Sequence, residues 1–178
     1  MRSATRLALL LLTVVMTAGA CGQPGRYAKY ESFVSDEGGY RIRYLDPPWD
    51  LVEGEGAEVL FRIASNAARF AGVDAAVLPK YELRITVVSG NAMSLAARDE
   101  RRAGSRGEEV LVPLREVETR TGDRGWELVT QFDAAMPRYR RYVYVEHPRG
   151  ALRLLFEGTP DLDEREVDEM VESVEVLE

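Results

Sequence analysis

Four extended segments follow one another at regular spacing in the second half of the chain. They are residues 109–119, 125–133, 139–146 and 151–157. In the last of them Leu152, Leu154 and Phe156 alternate with other residues, which is typical of a strand with one buried face. The connections at 121–125 and 147–150 contain Gly or Pro and are short enough to be tight turns. Strands joined by such turns pair as antiparallel hairpins, so this half of the chain predicts an antiparallel sheet.

The first half of the chain contains further strand patterns. Strands are predicted at residues 40–44, 49–52, 57–63 and 81–87, where apolar residues alternate with polar ones or form short runs. Residues 65–79 are rich in alanine and suit either a short helix or a loop. These strands extend the predicted sheet.

Two helices accompany the strands. Residues 91–103 carry good helix formers and are followed by Gly104 and Gly107, which favour a C-terminal stop. A final helix is predicted from about 160 to 176, and its apolar residues share one face. These are Val167, Met170, Val171 and Val174. Since the helices are few and lie between or after runs of strands, the predicted fold class is α+β, a single antiparallel β-sheet flanked by helices.

The N-terminal residues have the pattern of an export signal. Arg2 and Arg6 precede an apolar run at residues 7–17, and small residues occupy 18–20. The run of about 11 residues has the length of a secretory signal and is too short to span ~30 Å of hydrocarbon as a helix. We therefore expect residues 1–20 to be a signal peptide.

Cys21 is the only cysteine and directly follows the expected cleavage site. Cleavage after Ala20 by ordinary signal peptidase predicts a soluble exported protein. The same residues resemble a bacterial lipobox, in which the cysteine is acylated, although Ala18 stands where leucine is usual. Because a lone cysteine has no disulfide partner, we expect lipidation at Cys21. A soluble exported form and an uncleaved anchor are the alternatives.

This interpretation divides the chain into three parts. A lipoprotein signal peptide occupies residues 1–20, a tether with the lipidated cysteine occupies 21–29, and a single α+β domain occupies 30–178. Several acyl chains anchor a protein stably, since each buried CH₂ contributes ~0.8 kcal/mol. The predicted location is a bacterial membrane, on the periplasmic or outer-membrane side, and the choice between inner and outer membrane stays open.

The charge of the chain limits its partners. The net charge is −7, and loss of residues 1–20 removes two arginines and no acid, which makes it −9. An acidic protein is a poor ligand for nucleic acid, because binding there depends on cations that displace counterions from phosphates. We expect the protein to bind the membrane through its acylated N-terminus, with an envelope protein or lipid as a further partner.

Four sequence pieces together resemble the PsbP-like family of α/β/α sandwich domains, which includes bacterial lipoproteins. They are GGYRIRYLDPPWDL, RGWELV, RRYVYVEHPRGALRLLFEG and DEREVDEMVESVEV, and they cover most of residues 38–176. The family has a tryptophan at the position of Trp49 and a serine late in the last helix, as Ser173 is here. The turn at 45–48 is longer than usual in the family. The resemblance implies an α/β/α sandwich and carries over no catalytic residue.

Few residues suggest catalysis or metal binding. His147 is the only histidine and lies in a predicted turn, with no serine motif to support a triad. With one histidine and one cysteine, a His/Cys metal site is not expected. The acidic run at 161–172 falls on a helix and lacks the loop glycine of a calcium site, so a solvated face is favoured. No cofactor is expected.

A basic, aromatic stretch at residues 137–145 and Trp49 form the candidate binding face. Arg138, Arg140 and Arg141 lie there among tyrosines, so they suit contact with lipid headgroups or an anionic glycan. The alternative is cross-strand pairing with acids such as Glu127 or Asp133. Trp49 suits either the core or the wall of a groove.

These observations favour an exported, lipid-anchored, non-enzymatic binding module whose ligand is an envelope protein or lipid, bound through a face or edge of the sheet. The alternative is a carrier or chaperone for a lipid or other apolar molecule, with residues 65–79 helping to form a pocket. A third hypothesis is a glycan hydrolase, which requires two carboxylates in one cleft. Its candidates are Glu53, Glu55, Asp133 and Glu146.

Overall fold

The structure is a computed structural model, and it describes six parts of the chain. They are residues 29–46, 49–52, 58–64, 79–132, 137–159 and 164–177. The predicted signal peptide, Cys21 and nearly all of the tether lie outside the described residues, as do residues 65–78. In the part that is described, none of the helices has the length and apolar character needed to cross a membrane.

Ten strands and two helices form the described part of the domain. The first strands are β1 (Lys29–Ser35), β2 (Tyr40–Asp46), β3 (Asp50–Val52), β4 (Val59–Ala64) and β5 (Pro79–Val88). Helix α1 (Ala92–Ala103) follows, and then β6 (Glu109–Glu118), β7 (Arg124–Phe132), β8 (Arg138–His147) and β9 (Gly150–Gly158). Helix α2 (Glu164–Glu172) and β10 (Glu175–Val176) end the domain. Strands β2 to β9 and helix α1 therefore lie close to where the sequence predicts them.

The strands form two sheets, so the prediction of a single sheet is wrong. A seven-stranded sheet has the order β3-β4-β5-β9-β8-β7-β6, and a three-stranded sheet has the order β1-β2-β10. All pairs are antiparallel, as predicted. The second sheet forms because β2 pairs with β1 and β10 instead of with a strand of the large sheet.

The two faces of the large sheet have different covers. On one face, which we call the α2 face, β2 and helix α2 pack on strand residues such as Phe61, Leu83 and Leu154. On the opposite α1 face, helix α1 packs on Trp126 and Tyr144. Residues of one strand point alternately to the two faces. This alternation decides which polar side chains can meet.

Helix α1 has the expected ends. Asn91 caps it, because its side-chain oxygen accepts a hydrogen bond from the backbone N–H of Ser94 at 3.1 Å. A short 3₁₀ turn, Gly104–Arg106, follows the helix, and Gly107 ends it with a φ of 72°. Only glycine adopts this left-handed conformation without steric cost, which explains its place after the helix.

The last helix is shorter than predicted. It ends at Glu172 instead of continuing to about 176, and residues 160–163 lie outside the described part. Ser173 follows it, and its hydroxyl accepts a hydrogen bond from the backbone N–H of Arg43 at 2.9 Å. Glu175 and Val176 then pair with β2. The predicted helix was too long because Val174, although it lies outside the helix, is fully buried and so continues the apolar stripe.

Strand β1 was not predicted, and Lys29 was assigned to the tether. Its sequence shows no clear alternation of apolar and polar residues. Phe33 packs towards the core, whereas the apolar residues Tyr30 and Val34 are 48% and 43% exposed. Pairing with β2 stabilises this strand.

Candidate functional site

An open groove of about 390 Å³ lies on the α2 face of the large sheet. Side chains of strands β5 to β9 form its floor, and α2 forms one wall. The apolar lining includes Trp49, Tyr81, Val129, Tyr139, Phe156 and Val167. Its volume falls in the range of about 300–1,000 Å³ that is usual for small-molecule sites.

A chain of four charged residues crosses the groove. The register places Arg115 opposite Glu127 and Arg141 opposite Val129, so these side chains share the α2 face. Helix α2 contributes Asp168 from the other wall. Positive and negative groups therefore alternate across the groove.

Glu127 is the centre of this chain, and only 1% of its side chain is exposed. Its Oε2 accepts a hydrogen bond from Arg115 Nε at 2.7 Å, and its Oε1 pairs with Arg141 Nε. Arg141 Nη1 also lies 2.6 Å from Asp168 Oδ1. We name this arrangement the Arg115–Glu127–Arg141 cluster. A buried carboxylate thus holds two guanidinium groups in fixed positions.

Both arginines keep N–H groups for a ligand. Arg115 Nη1 and Arg141 Nη2 make no hydrogen bond with the residues that the structure describes. The Arg115 side chain is 60% exposed and that of Arg141 is 16% exposed. The cluster therefore offers N–H donors at the groove, and a ligand at Arg141 competes with Asp168 for the guanidinium.

Trp49 belongs to both of the predicted environments. It is fully buried, and its ring packs edge-on against Phe156 with the centroids 6.4 Å apart. It also contributes to the groove lining. Trp49 is a core anchor that supports the groove from below.

The arginines of the candidate binding face lie on two faces of the sheet. Only Arg141 reaches the groove, because β8 alternates and Arg138 and Arg140 point to the α1 face. There Arg140 pairs with Glu157 at 3.1 Å and with Glu108 at 2.7 Å. These arginines pair with acidic residues, which was the alternative prediction for them. Arg141 pairs with Glu127, one of the acids named there. Asp133 lies outside the described residues.

The second buried carboxylate, Glu108, has a structural role on the α1 face. Burial favours a raised pKa for Glu108, but hydrogen bonds from Arg106 and Thr130 outweigh it and hold the pKa below its usual value. Arg106 also contacts Asp99 of α1, which pairs with the hydroxyl of Tyr144. This network attaches α1 to the sheet.

The residues considered for catalysis stay apart from the groove. His147 lies at the end of β8, beside the turn to β9, and its Nδ1 accepts a hydrogen bond from the backbone N–H of Arg149 at 3.2 Å. Burial and nearby Arg149 lower the pKa of His147. Of the predicted hydrolase carboxylates, Glu146 is exposed and the other three lie outside the described residues. Among the described residues there is also no group of three or more His, Cys, Asp or Glu that suits a metal ion.

Most of the groove residues were not predicted from the sequence. Arg115, Asp168 and Tyr139 were not selected, and Glu127 was considered only as a partner for arginines. One signal was available, since Glu127 is flanked by the apolar residues Trp126, Leu128 and Val129. A charge at such a position indicates a buried, paired carboxylate.

Solved structures of other proteins share this architecture. The cyanobacterial PsbP protein CyanoP from Synechocystis sp. PCC 6803 matches with a TM-score of 0.56 and 16% identity, over 89% of this chain and 98% of that one. The chain has a PsbP-like fold. This confirms the resemblance seen in the sequence, with two sheets where one was expected.

Two further structures share the PsbP-like fold. A Bacteroides thetaiotaomicron protein matches with a TM-score of 0.55 and 15% identity over 83% of this chain, which spans 48% of that protein's length. The Ran-binding protein Mog1p from Saccharomyces cerevisiae matches with a TM-score of 0.54 and 9% identity, over 85% of this chain and 97% of that one. No protein-family model and no curated protein matches the sequence significantly.

Proposed function

We propose that this PsbP-like domain is an exported, lipid-anchored, non-enzymatic binding module of the bacterial envelope, and that the groove on the α2 face is its binding site. The lipobox-like residues before Cys21 support the anchor. Mog1p, a Ran-binding protein, shows that the same fold can serve partner binding.

The Arg115–Glu127–Arg141 cluster is the observation that carries the proposal. Burying a carboxylate and a guanidinium costs several kcal/mol of desolvation, and well-packed apolar residues often stabilise such a site equally well. A protein that keeps charges at the floor of an open groove therefore has a use for them there. The groove also has the mixture of apolar lining and a few polar groups that is usual in ligand sites.

A face of the sheet suits this role better than an edge. Strand β6 forms one edge, and Pro113 together with shifts of register on both sides of Val112 interrupts it. Such features prevent another strand from pairing there. The other edge strand, β3, has only three residues.

The carrier hypothesis keeps one supporting observation, the apolar floor of the groove. The core beneath it is filled by buried side chains such as Phe61, Leu83 and Leu154, so the groove itself has to accommodate any apolar cargo. Residues 65–78, which we expected to help form a pocket, lie outside the described residues.

Metabolic labelling tests the anchor. Cells expressing the native protein or Cys21→Ala are grown with a clickable palmitate, and the purified proteins are compared. We expect label on the native protein alone. Equal labelling of the two proteins refutes acylation at Cys21.

Site-specific crosslinking tests the groove. A photoreactive residue replaces Leu111, which lines the groove and is 40% exposed. The matched control replaces Met93 of α1, which is 53% exposed on the opposite side of the sheet. Adducts in intact cells from position 111 and not from position 93 support the proposal. Equal adducts at both positions, or none at either, argue against the groove as the binding site.

A further inference from the structure

We propose that the groove binds an aliphatic monocarboxylate, with its carboxylate between Arg115 and Arg141 and its chain along the apolar floor. The inference rests on the proposed use of the groove for binding. It assigns a ligand class to that site from three features: the free guanidinium donors, the local charge and the shape of the floor.

The donors suit a carboxylate. Guanidinium groups present planar pairs of N–H donors that match the two oxygens of a carboxylate. Arg115 and Arg141 flank one buried acceptor, Glu127, and both line the groove. Because Glu127 fixes both side chains, a ligand orders little that is not already ordered, which lowers the entropic cost of binding.

The local charge favours a single negative charge on the ligand. Glu82 and Glu157 also line the groove, but their carboxylates pair with Arg62 and Arg140 on the α1 face. The charges on the α2 face are Arg115, Arg141, Glu127 and Asp168, and they balance each other. Asp168 is 49% exposed, so its hold on Arg141 is weak and water-accessible. A ligand carboxylate can replace it at Arg141 while Asp168 turns towards water. A dianion adds a second charge beside the buried Glu127 and is disfavoured.

The floor favours an apolar chain. Val129, Tyr139 and Phe156 line the groove beside the cluster, and α2 contributes Val167. From β7, beside which the ligand carboxylate lies between Arg115 and Arg141, the lining continues across β8 and β9 to β5, and three steps of about 4.8 Å give a length of roughly 14 Å. Such an apolar surface suits an extended aliphatic chain, whose burial removes apolar area from water.

Titration calorimetry with three probes of equal chain length tests the ligand class. The protein is the chain from residue 21 with Cys21→Ala, which retains every residue of both core clusters. The probes are decanoate, decanol and decylamine, at neutral pH and below their aggregation concentrations, and acetate is added as a chain-free anion. We expect decanoate to bind at least tenfold more tightly than the others. Equal or tighter binding of decanol or decylamine overturns the proposal.

Two variants with opposite effects test the position of the carboxylate. Arg115→Gln removes one guanidinium and is expected to weaken decanoate binding about tenfold. Its control is Arg124→Gln, since Arg124 is also 60% exposed and pairs with an acid, Glu116, outside the groove lining. Asp168→Asn removes the competitor at Arg141 and is expected to tighten binding several-fold. A gain in affinity cannot result from misfolding, so an unchanged or weaker affinity in Asp168→Asn contradicts the proposed geometry.

The outcomes separate this inference from the proposed function. If crosslinking from position 111 captures a partner but decanoate does not bind, the groove is a binding site for another ligand and the carboxylate assignment is wrong. If decanoate binds as expected but Cys21→Ala keeps its label, the ligand class stands and the anchor is wrong.

Discussion

Glu127→Gln is the substitution that tests the electrostatic account of the groove most directly. The variant keeps the size of the side chain and removes the charge that Arg115 and Arg141 share. Loss of one partner from a buried ion pair costs about 3–5 kcal/mol. The Arg115 part is small, since that side chain is 60% exposed and screened by water. Asp168 continues to neutralise Arg141, so we expect a net loss of about 2–3 kcal/mol.

Urea denaturation measures this loss. Its midpoint is expected to fall without a change in slope, and the melting temperature is expected to fall by roughly 4–12 °C. The matched control is Glu116→Gln, because Glu116 and its partner Arg124 are both 60% exposed. Its effect should stay below ~1 kcal/mol. If the two variants unfold within ~0.5 kcal/mol of each other, Glu127 is not the buried centre of the cluster.

A triple replacement separates stability from binding at the same site. Arg115→Leu, Glu127→Leu and Arg141→Met together remove the charges and leave an apolar groove. Replacing a buried ion network by packed apolar residues is often neutral or stabilising by about 1–4 kcal/mol. We therefore expect a stable protein that no longer distinguishes decanoate from decanol. A large loss of stability in the triple variant contradicts a functional origin for the cluster.

Three further predictions concern pH and capping. The folded-state pKa of Glu108 is lowered, so the stability that its carboxylate contributes is fully present above the unfolded pKa of about 4.3. This stability is lost as the pH falls through the folded pKa. Glu108→Gln should therefore flatten the acid denaturation curve in that range. His147 also has a lowered pKa, so as the pH falls the unfolded chain binds the imidazole proton before the folded chain does. The free energy of unfolding therefore decreases as the pH drops below about 6.5. His147→Asn should remove this pH dependence from urea midpoints measured between about pH 7 and 5. Asn91→Ala removes the cap of α1 and should cost about 1 kcal/mol in the same assay, whereas Asn91→Ser should cost little.

Much of the secondary structure follows from the sequence alone. Period-two alternation in β5, β7 and β9 indicates strands, and the turn residues between β8 and β9 indicate that these two strands pair as an antiparallel hairpin. Asn91 and Gly107 mark the ends of the segment around α1 because capping depends on neighbouring backbone groups. The pieces that resemble PsbP-like domains combine these local signals in the right order, and the fold they imply is confirmed.

Long-range pairing decided the parts that the sequence did not reveal. Lys29–Ser35 and Glu175–Val176 are strands only because both pair with Tyr40–Asp46, which lies more than 100 residues from the second of them. Val174 is buried by packing on the core and not by continuation of a helix, so its apolar character was a misleading sign of helix length. A local sequence pattern indicates that a residue is buried, but it does not indicate which element buries it.

The groove also depends on long-range packing that local patterns do not show. Arg138, Arg140 and Arg141 were predicted to share one binding face, although successive side chains of a strand alternate and Arg140 and Arg141 therefore point to opposite faces. Only the tertiary structure decided that helix α2 and the second sheet cover one face in part, leaving Arg115, Glu127 and Arg141 at the floor of an open groove. The physical reason is range: hydrogen bonds and side-chain periodicity act between near neighbours in the chain, whereas a cavity is the space left where distant elements fail to cover one another.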